Sequence, residues 1–239
     1  MPGSRASVFG EAEDFQAALS ADGVAGLLVT SRGQFRARLT QLTLDGWRLA
    51  TVEEEQPRIA FVAVPAGMVL VSFPIGEGPS PVWAGVEIRN GEMITLGPGL
   101  RLHARTLGLS HWGAIHVPNH QLADYGRVLS GAGFVVPPVA RWRPPPAVVR
   151  QLRNLHRAAI RMAEARAGAL TDLQAAHGLE QQLLQALIEC LADGAEEEKA
   201  TGRRHRDILT RFEALLVAEP SAGIADICGA LGVSQRSLR

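Results

Sequence analysis

The sequence predicts an α+β protein in three parts: a β-rich N-terminal domain of jelly-roll type, a helical middle segment, and the opening of a small all-α module at the C-terminus. Three observations predict it. Short apolar runs recur at about ten-residue spacing between Gln34 and Pro118, with turn dipeptides between several of them. Beyond Pro118 the apolar period lengthens to that of a helix. From Ser221 onward the residues fit a short helix, a glycine turn and the start of a second helix.

Residues 11–20 form the first candidate element, a short helix. The β runs are Phe35–Leu44, Trp47–Val52, Ile59–Val64, Met68–Phe73, Val82–Ile88, Met93–Leu96, Leu100–Leu107 and Trp112–Val117. Asp45-Gly46 and Asn90-Gly91 are two-residue hairpin signals, because both positions tolerate a left-handed backbone. Pro65-Ala66-Gly67 and Gly97-Pro98-Gly99 are further turns. Strands this short and numerous suit a sandwich or barrel, a jelly roll first.

Asn119 then caps a helix reaching Ser130, and the Pro- and Gly-rich stretch 131–146 reads as a strand or extended connector around Phe134–Val136. Ala147–Ala167 is helical, with Leu152, Leu155, Ala159, Ile160 and Met162 on one side. Arg150, Arg153, Arg157, Arg161 and Arg166 share its polar side, as a solvated face or as phosphate contacts. Gly168 breaks this helix and Thr171 caps the next, whose Leu173, Leu179, Leu183, Leu184, Leu187, Ile188 and Leu191 make a broad apolar face. So many large aliphatics exceed the needs of one neighbouring helix. They suit packing on the β part or self-association, with Leu179, Leu183, Leu187 and Leu191 as the dimer contacts. Asp193–Glu198 is a solvated linker. The expected division is 1–192 (β-rich 34–118, helical 119–192), a linker at 193–202, and a C-terminal module at 203–239.

Composition narrows the class. An apolar fraction of 46% over 239 residues supports a real core. No apolar run is long enough for a membrane span, and the N-terminus carries no apolar signal region. A cytoplasmic location without membrane association is therefore expected. Cys190 and Cys228 read as small buried residues rather than a bridge. The 24 basic and 24 acidic residues cancel, which does not by itself announce a nucleic-acid binder.

In the C-terminal module, Arg203–Glu219 reads as a helix with Ile208, Leu209, Phe212, Leu215 and Leu216 on one face, ended by Pro220. Ile224, Ile227, Cys228 and Leu231 form the apolar stripe of a short helix, with Ser221 as its N-cap. Gly232 can adopt the left-handed conformation of a helix stop, and Val233 can plug the angle to the next helix. Ser234 would cap that second helix, placing Gln235, Arg236, Ser237 and Arg239 at its N-terminus with Leu238 turned inward. This is the frame of a DNA-binding helix-turn-helix, in which those positions reach base edges and phosphates. An ordinary helical hairpin would have the same spacing.

On Arg203–Leu216 and Ile227–Leu238, the chain resembles the AraC family of bacterial regulators. Gly91–Arg105 and Trp112–Pro118 look like the sensor domains of a subset of that family. The resemblance implies a cupin-like, effector-binding β domain, a helical dimerisation segment, and two helix-turn-helix units, of which only the opening of the first is present here. It implies operator DNA, a small-molecule effector and a second copy of the chain as partners, and allows RNA polymerase as another. Ser234, Gln235, Arg236, Ser237 and Arg239 would be the DNA contacts.

Trp47, Met68, Trp83, Met93, His103 and Trp112 are the candidate ligand-pocket residues, since a pocket in a β-barrel mouth is apolar and aromatic with a few polar groups. Core packing is the competing reading. His103, His111, His116 and His120 raise the alternative of a cupin-type metal-dependent enzyme with a structural helical tail. His111 and His116 lie an odd number apart, so a regular strand puts them on opposite faces. No close His-x-His pair with a following Glu is present, and no nucleophile, phosphate-loop or zinc-protease motif appears. No cofactor, metal or catalytic residue is expected.

Overall fold

Residue alternation along the strands decides the architecture. The structure, a computed structural model, describes residues 3–44, 46–130, 136–165, 173–192, 195–197, 208, 211–212 and 214–234. It falls into two units, residues 1–197 and 198–239. In the first unit the strands are β1 (Gly3–Phe9), β2 (Val24–Val29), β3 (Ala37–Thr43), β4 (Arg48–Glu54), β5 (Arg58–Ala63), β6 (Met68–Pro74), β7 (Val82–Trp83), β8 (Val86–Glu87), β9 (Met93–Leu96), β10 (Arg101–Thr106), β11 (Ser110–Pro118), β12 (Val139–Trp142) and β13 (Ala195–Glu197). The helices are α1 (Ala12–Leu19), α2 (Asn119–Ser130), α3 (Pro146–Ala165) and α4 (Leu173–Ala192).

An eight-stranded sheet runs β1-β3-β4-β11-β6-β9-β12-β13, and a five-stranded sheet runs β2-β5-β10-β7-β8. Side chains alternate across each strand, so the larger sheet serves two cores. Ala37, Leu39, Ala50, Val52, Leu70, Ile94, Leu96, Trp112 and Ala114 face Ala60, Val62, Leu102 and Ala104 of the smaller sheet. The residues between them, including Leu49, Val71, Phe73, Met93, Ile115 and Val117, face Leu122 of α2, Leu152 and Ile160 of α3, and Leu183, Leu187 and Leu191 of α4. The unit is therefore three-layered: small sheet, large sheet, helices. This is the α+β class with a double-sheet jelly roll that the sequence predicts.

The predicted runs fall on β3 to β11, although Val82–Ile88 splits into the hairpin β7–β8 around Ala84 and Gly85, both with positive φ. Leu44 N–H donates to Trp47 O at 2.9 Å, closing the β3–β4 hairpin at Gly46. Asn90-Gly91 does not make a hairpin. It carries the chain from β8 in one sheet to β9 in the other. The turn chemistry is local, whereas pairing follows which face is apolar. β1 and β2 lie outside the expected set, because the pattern of β1 is mostly exposed and β2 starts directly after a 3₁₀ turn, Ser20–Asp22. A strand in the connector stretch, β12, spans Val139–Trp142; of the expected Phe134–Val136, Phe134 and Val135 lie outside the described residues and Val136 is irregular. Residues 195–197 of the expected linker pair with β12 as β13. Gly168 and Thr171 also lie outside the described residues.

Leu183, Leu187 and Leu191 are buried within the chain, and Leu179 packs partly against the same core. Packing on the β part therefore occupies the face that the sequence also offered to a second copy. Both cysteines are free and buried, and burial pushes the Cys190 thiol up to about 12. Among the described residues no helix is long and apolar enough to cross a membrane.

In the second unit, residues 214–218 are helical and the chain turns at Pro220. Helix α5 (Ile224–Leu231) follows, burying Ile227, Cys228 and Leu231 but leaving Ile224 exposed. Its N-cap is Gly223 in extended conformation, not Ser221, because the turn after Pro220 continues through Ala222, whose N–H donates to Glu219 O at 3.0 Å. Gly232 ends α5 at φ +64°, and the N–H of Val233 donates to Cys228 O at 3.1 Å, which is the expected glycine stop.

Candidate functional site

Charged side chains at inward-facing strand positions mark one end of the sandwich. Glu54 falls in phase with Ala50 and Val52 on β4, and Arg58 in phase with Ala60 and Val62 on β5. Across the ladders Ser110 pairs with Glu54, and Thr106 with Arg58. These four side chains meet inside the protein, with Glu54 1% and Arg58 3% exposed.

The carboxylate of Glu54 accepts three hydrogen bonds. Arg58 Nε donates to its Oε2 at 2.6 Å, while Trp112 Nε1 and Ser110 Oγ donate to its Oε1 at 3.1 and 3.3 Å. The Arg58 guanidinium lies 5.7 Å from the centroid of the Trp112 ring, and Trp83 meets Trp112 edge-on at 6.1 Å. A buried ion pair tolerates low dielectric only when its hydrogen-bonding groups are satisfied. Here Arg58 Nη1 and Thr106 Oγ1 are buried and have no partner among the described residues. An arginine donor and a hydroxyl without partners, beside two indoles, can receive a polar small molecule. A recess of about 230 Å³ opens at this end, lined by Pro74, Gly76, Pro81, Ser110, His111 and Trp112.

A second polar cluster occupies the opposite end, under α1. Asp22 accepts from Gln41 Nε2 at 2.6 Å and lies 3.7 Å from Arg48 Nε and 3.9 Å from His116 Nδ1. Burial holds His116 below the usual histidine range, against an opposing pull from Asp22.

Of the pocket candidates, the structure brings Trp83 and Trp112 together at the buried ion pair. Trp47 and Met93 lie in the core between the large sheet and the helices, where Trp47 Nε1 donates to Gln121 Oε1 at 2.6 Å. Met68 is half-buried at the start of β6. His103 packs at a tilt against Phe61, its cross-strand partner, with ring centroids 5.4 Å apart, on the outer face of the small sheet. His111 faces the helix layer and His116 the sandwich, on opposite sides of β11, and His120 is exposed on α2. Among the described residues no group of three or more His, Cys, Asp or Glu could hold a metal ion. Sequence reasoning missed Glu54 and Arg58, although a charge in the inward phase of an apolar strand was a usable signal.

In the second unit, Arg211 Nη2 donates to Ala230 O at 2.9 Å, tying the preceding segment to the last turn of α5. Ser234 is exposed just past the turn. Gln235, Arg236, Ser237 and Arg239 lie outside the described residues.

No family model matches the chain, and no curated protein matches it. Among solved structures it is similar to the AraC-like transcriptional activator CuxR, with a TM-score of 0.56 and 16% identity over 98% of this chain and 86% of that one. At that identity the likeness is one of fold. Bacillus subtilis oxalate decarboxylase OxdC (TM-score 0.28, 8% identity, 40% of this chain and 28% of that one) and protein Ylba from E. coli (TM-score 0.28, 14% identity, 46% and 52%) match too distantly to carry an argument.

Proposed function

We propose that the chain belongs to a ligand-responsive transcription regulator of the AraC type, with its sensing part in the sandwich and DNA-reading residues at the C-terminal helix-turn-helix. The observation that carries this reading is a fold shared along 98% of the chain with an AraC-like transcriptional activator. The glycine-stopped helix α5 agrees with it, since it falls where the sequence resembles the family's helix-turn-helix. The sandwich would take a small-molecule effector beside Arg58, Trp83 and Trp112. Ser234 would cap the recognition helix, and Gln235, Arg236, Ser237 and Arg239 would contact phosphates and base edges. The regulator would act in the cytoplasm as a homodimer on paired operator half-sites, with RNA polymerase as a further partner. With α4 turned inward, a dimer would use other surfaces than Leu183, Leu187 and Leu191.

The test is a selection of duplex DNA from a random pool by the protein, followed by anisotropy titration of the selected sequence. Arg236→Ala is expected to weaken binding by about 1–3 kcal/mol, roughly five- to 150-fold. Failure to enrich any sequence would overturn the reading, and unchanged affinity in the variant would remove Arg236 from it.

A further inference from the structure

The groove between α3 and the turn preceding β9 holds positive charge that no carboxylate among the described residues neutralises. It encloses about 530 Å³, within the range of small-molecule sites, and is lined by Arg150, Arg153, Asn154 and Arg157 on one wall and Asn90 and Gly91 on the other. The three arginines stand three and four residues apart, so one helical face carries them all.

Arg153 is half-buried and held in place by neutral acceptors. Its Nη1 donates to Asn90 Oδ1 at 2.7 Å and its Nη2 to the carbonyl of Ile75. Arg157 Nη1 donates to Asn154 Oδ1 at 3.2 Å. Among the described residues none of the three arginines has a carboxylate partner. The carboxylate of the turn, Glu92, is already engaged by Arg143 Nε at 2.6 Å and by the N–H of Arg89 at 2.9 Å. The surroundings register the excess charge. Burial, then Arg157, lowers the pKa of Arg153. His111 is lowered by burial and by both Arg153 and Arg157, with Glu53 opposing.

Solvated arginines without partners are common on helices. Three of them along one concave wall, the central one already fixed, are a different arrangement, since the field of like charges focuses there. A guanidinium presents a planar fork that matches the oxygens of a phosphate, and fixing it beforehand lowers the entropy lost on binding.

We propose that this groove binds a small oxyanion of the pyrophosphate or phosphate-ester class. Arg153 is the fixed contact, and Arg150 and Arg157 close on the anion from either side along the helix. Two of the five N–H donors of Arg153 are used internally, which leaves three for the ligand. The proposal does not rest on the gene-regulator reading, and none of the groove's lining residues belongs to the buried ion pair.

Calorimetric titration of the full chain with inorganic pyrophosphate at fixed ionic strength tests it, alongside thermal unfolding. A saturable single-site heat is expected, together with a rise in Tm that sodium chloride of equal ionic strength does not reproduce. Arg153→Gln, Arg153→Lys and the Arg150→Gln/Arg157→Gln double variant are each expected to weaken binding at least about tenfold. Arg150 and Arg157 are exposed, so the double variant keeps the fold and its unfolding curve verifies that. No saturable heat, or unchanged affinity in the double variant, would overturn the proposal. So would duplex DNA binding that depends on these arginines while pyrophosphate neither binds nor competes, which would assign the groove to a nucleic-acid backbone.

Discussion

Glu53, Glu54 and Glu55 are adjacent, yet only the middle one enters the protein. The side chains of Glu53 and Glu55 are about half exposed, whereas that of Glu54 is fully enclosed. As a string the three glutamates look like a solvated turn; only the phase set by Ala50 and Val52 distinguishes Glu54. Trp83 and Trp112 were legible because a large aromatic in an alternating run is conspicuous, but which core each tryptophan enters depends on register, which runs this short do not fix. That is why Trp47 and Met93 share a candidate list with them and belong to another compartment. Glu54→Gln strands the Arg58 charge in a low-dielectric interior, and about 3–5 kcal/mol of stability should be lost. Glu54→Met with Arg58→Met removes both charges and should recover most of it. Urea unfolding of the two variants checks this; a double variant as unstable as the single one would contradict it.

At the scale of elements, the runs themselves were readable and their connections were not. Pro65-Ala66-Gly67, Asn90-Gly91 and Gly97-Pro98-Gly99 all pass the chain from one sheet to the other. A turn sequence states that the chain reverses, not which strand it will pair with next. The exposed edge strand β1 escaped notice because its pattern lacks an apolar face. Gly23 shows how tightly one junction is made. It has φ +88°, and a Cβ there would lie 2.4 Å from the carbonyl oxygen of Ala63, a backbone atom of the neighbouring strand. Gly23→Ala should therefore destabilise the protein by about 2 kcal/mol or more, read as a lower urea midpoint at unchanged slope. An unshifted midpoint would show that β2 can move away from β5.

Across the whole molecule, the broad leucine face of α4 was visible in the sequence, while its destination was not. A stripe too wide for one helix is accounted for once it covers α3 and a sheet together. His156 of α3 sits in that same layer, 1% exposed and edge-on to Phe73 at 5.2 Å. The backbones of Ala50 and Ala114 lie near its ring, but neither nitrogen makes a hydrogen bond among the described residues. Burial pushes it down to about 4 from 6.5. The unfolded chain therefore binds a proton between those pH values that the folded chain refuses. Stability should be level above pH 6.5 and fall as pH drops toward 4, by up to about 1.4 kcal/mol per unit for this group. His116 is shifted the same way. Urea midpoints at pH 7 and 5 test the slope, which His156→Leu should reduce by one proton; an identical slope would place the acid sensitivity elsewhere. The large sheet is also a shared partition. Trp112 on one side of β11 and Gly113 on the other are consecutive, and a Cβ built on Gly113 would lie 2.8 Å from the Phe73 ring. Interiors packed to this density transmit displacement rather than absorb it. A guest that shoved the indole aside would thus jostle the phenyl ring and its histidine neighbour through the thickness of a single polypeptide layer, with no loop needed as messenger.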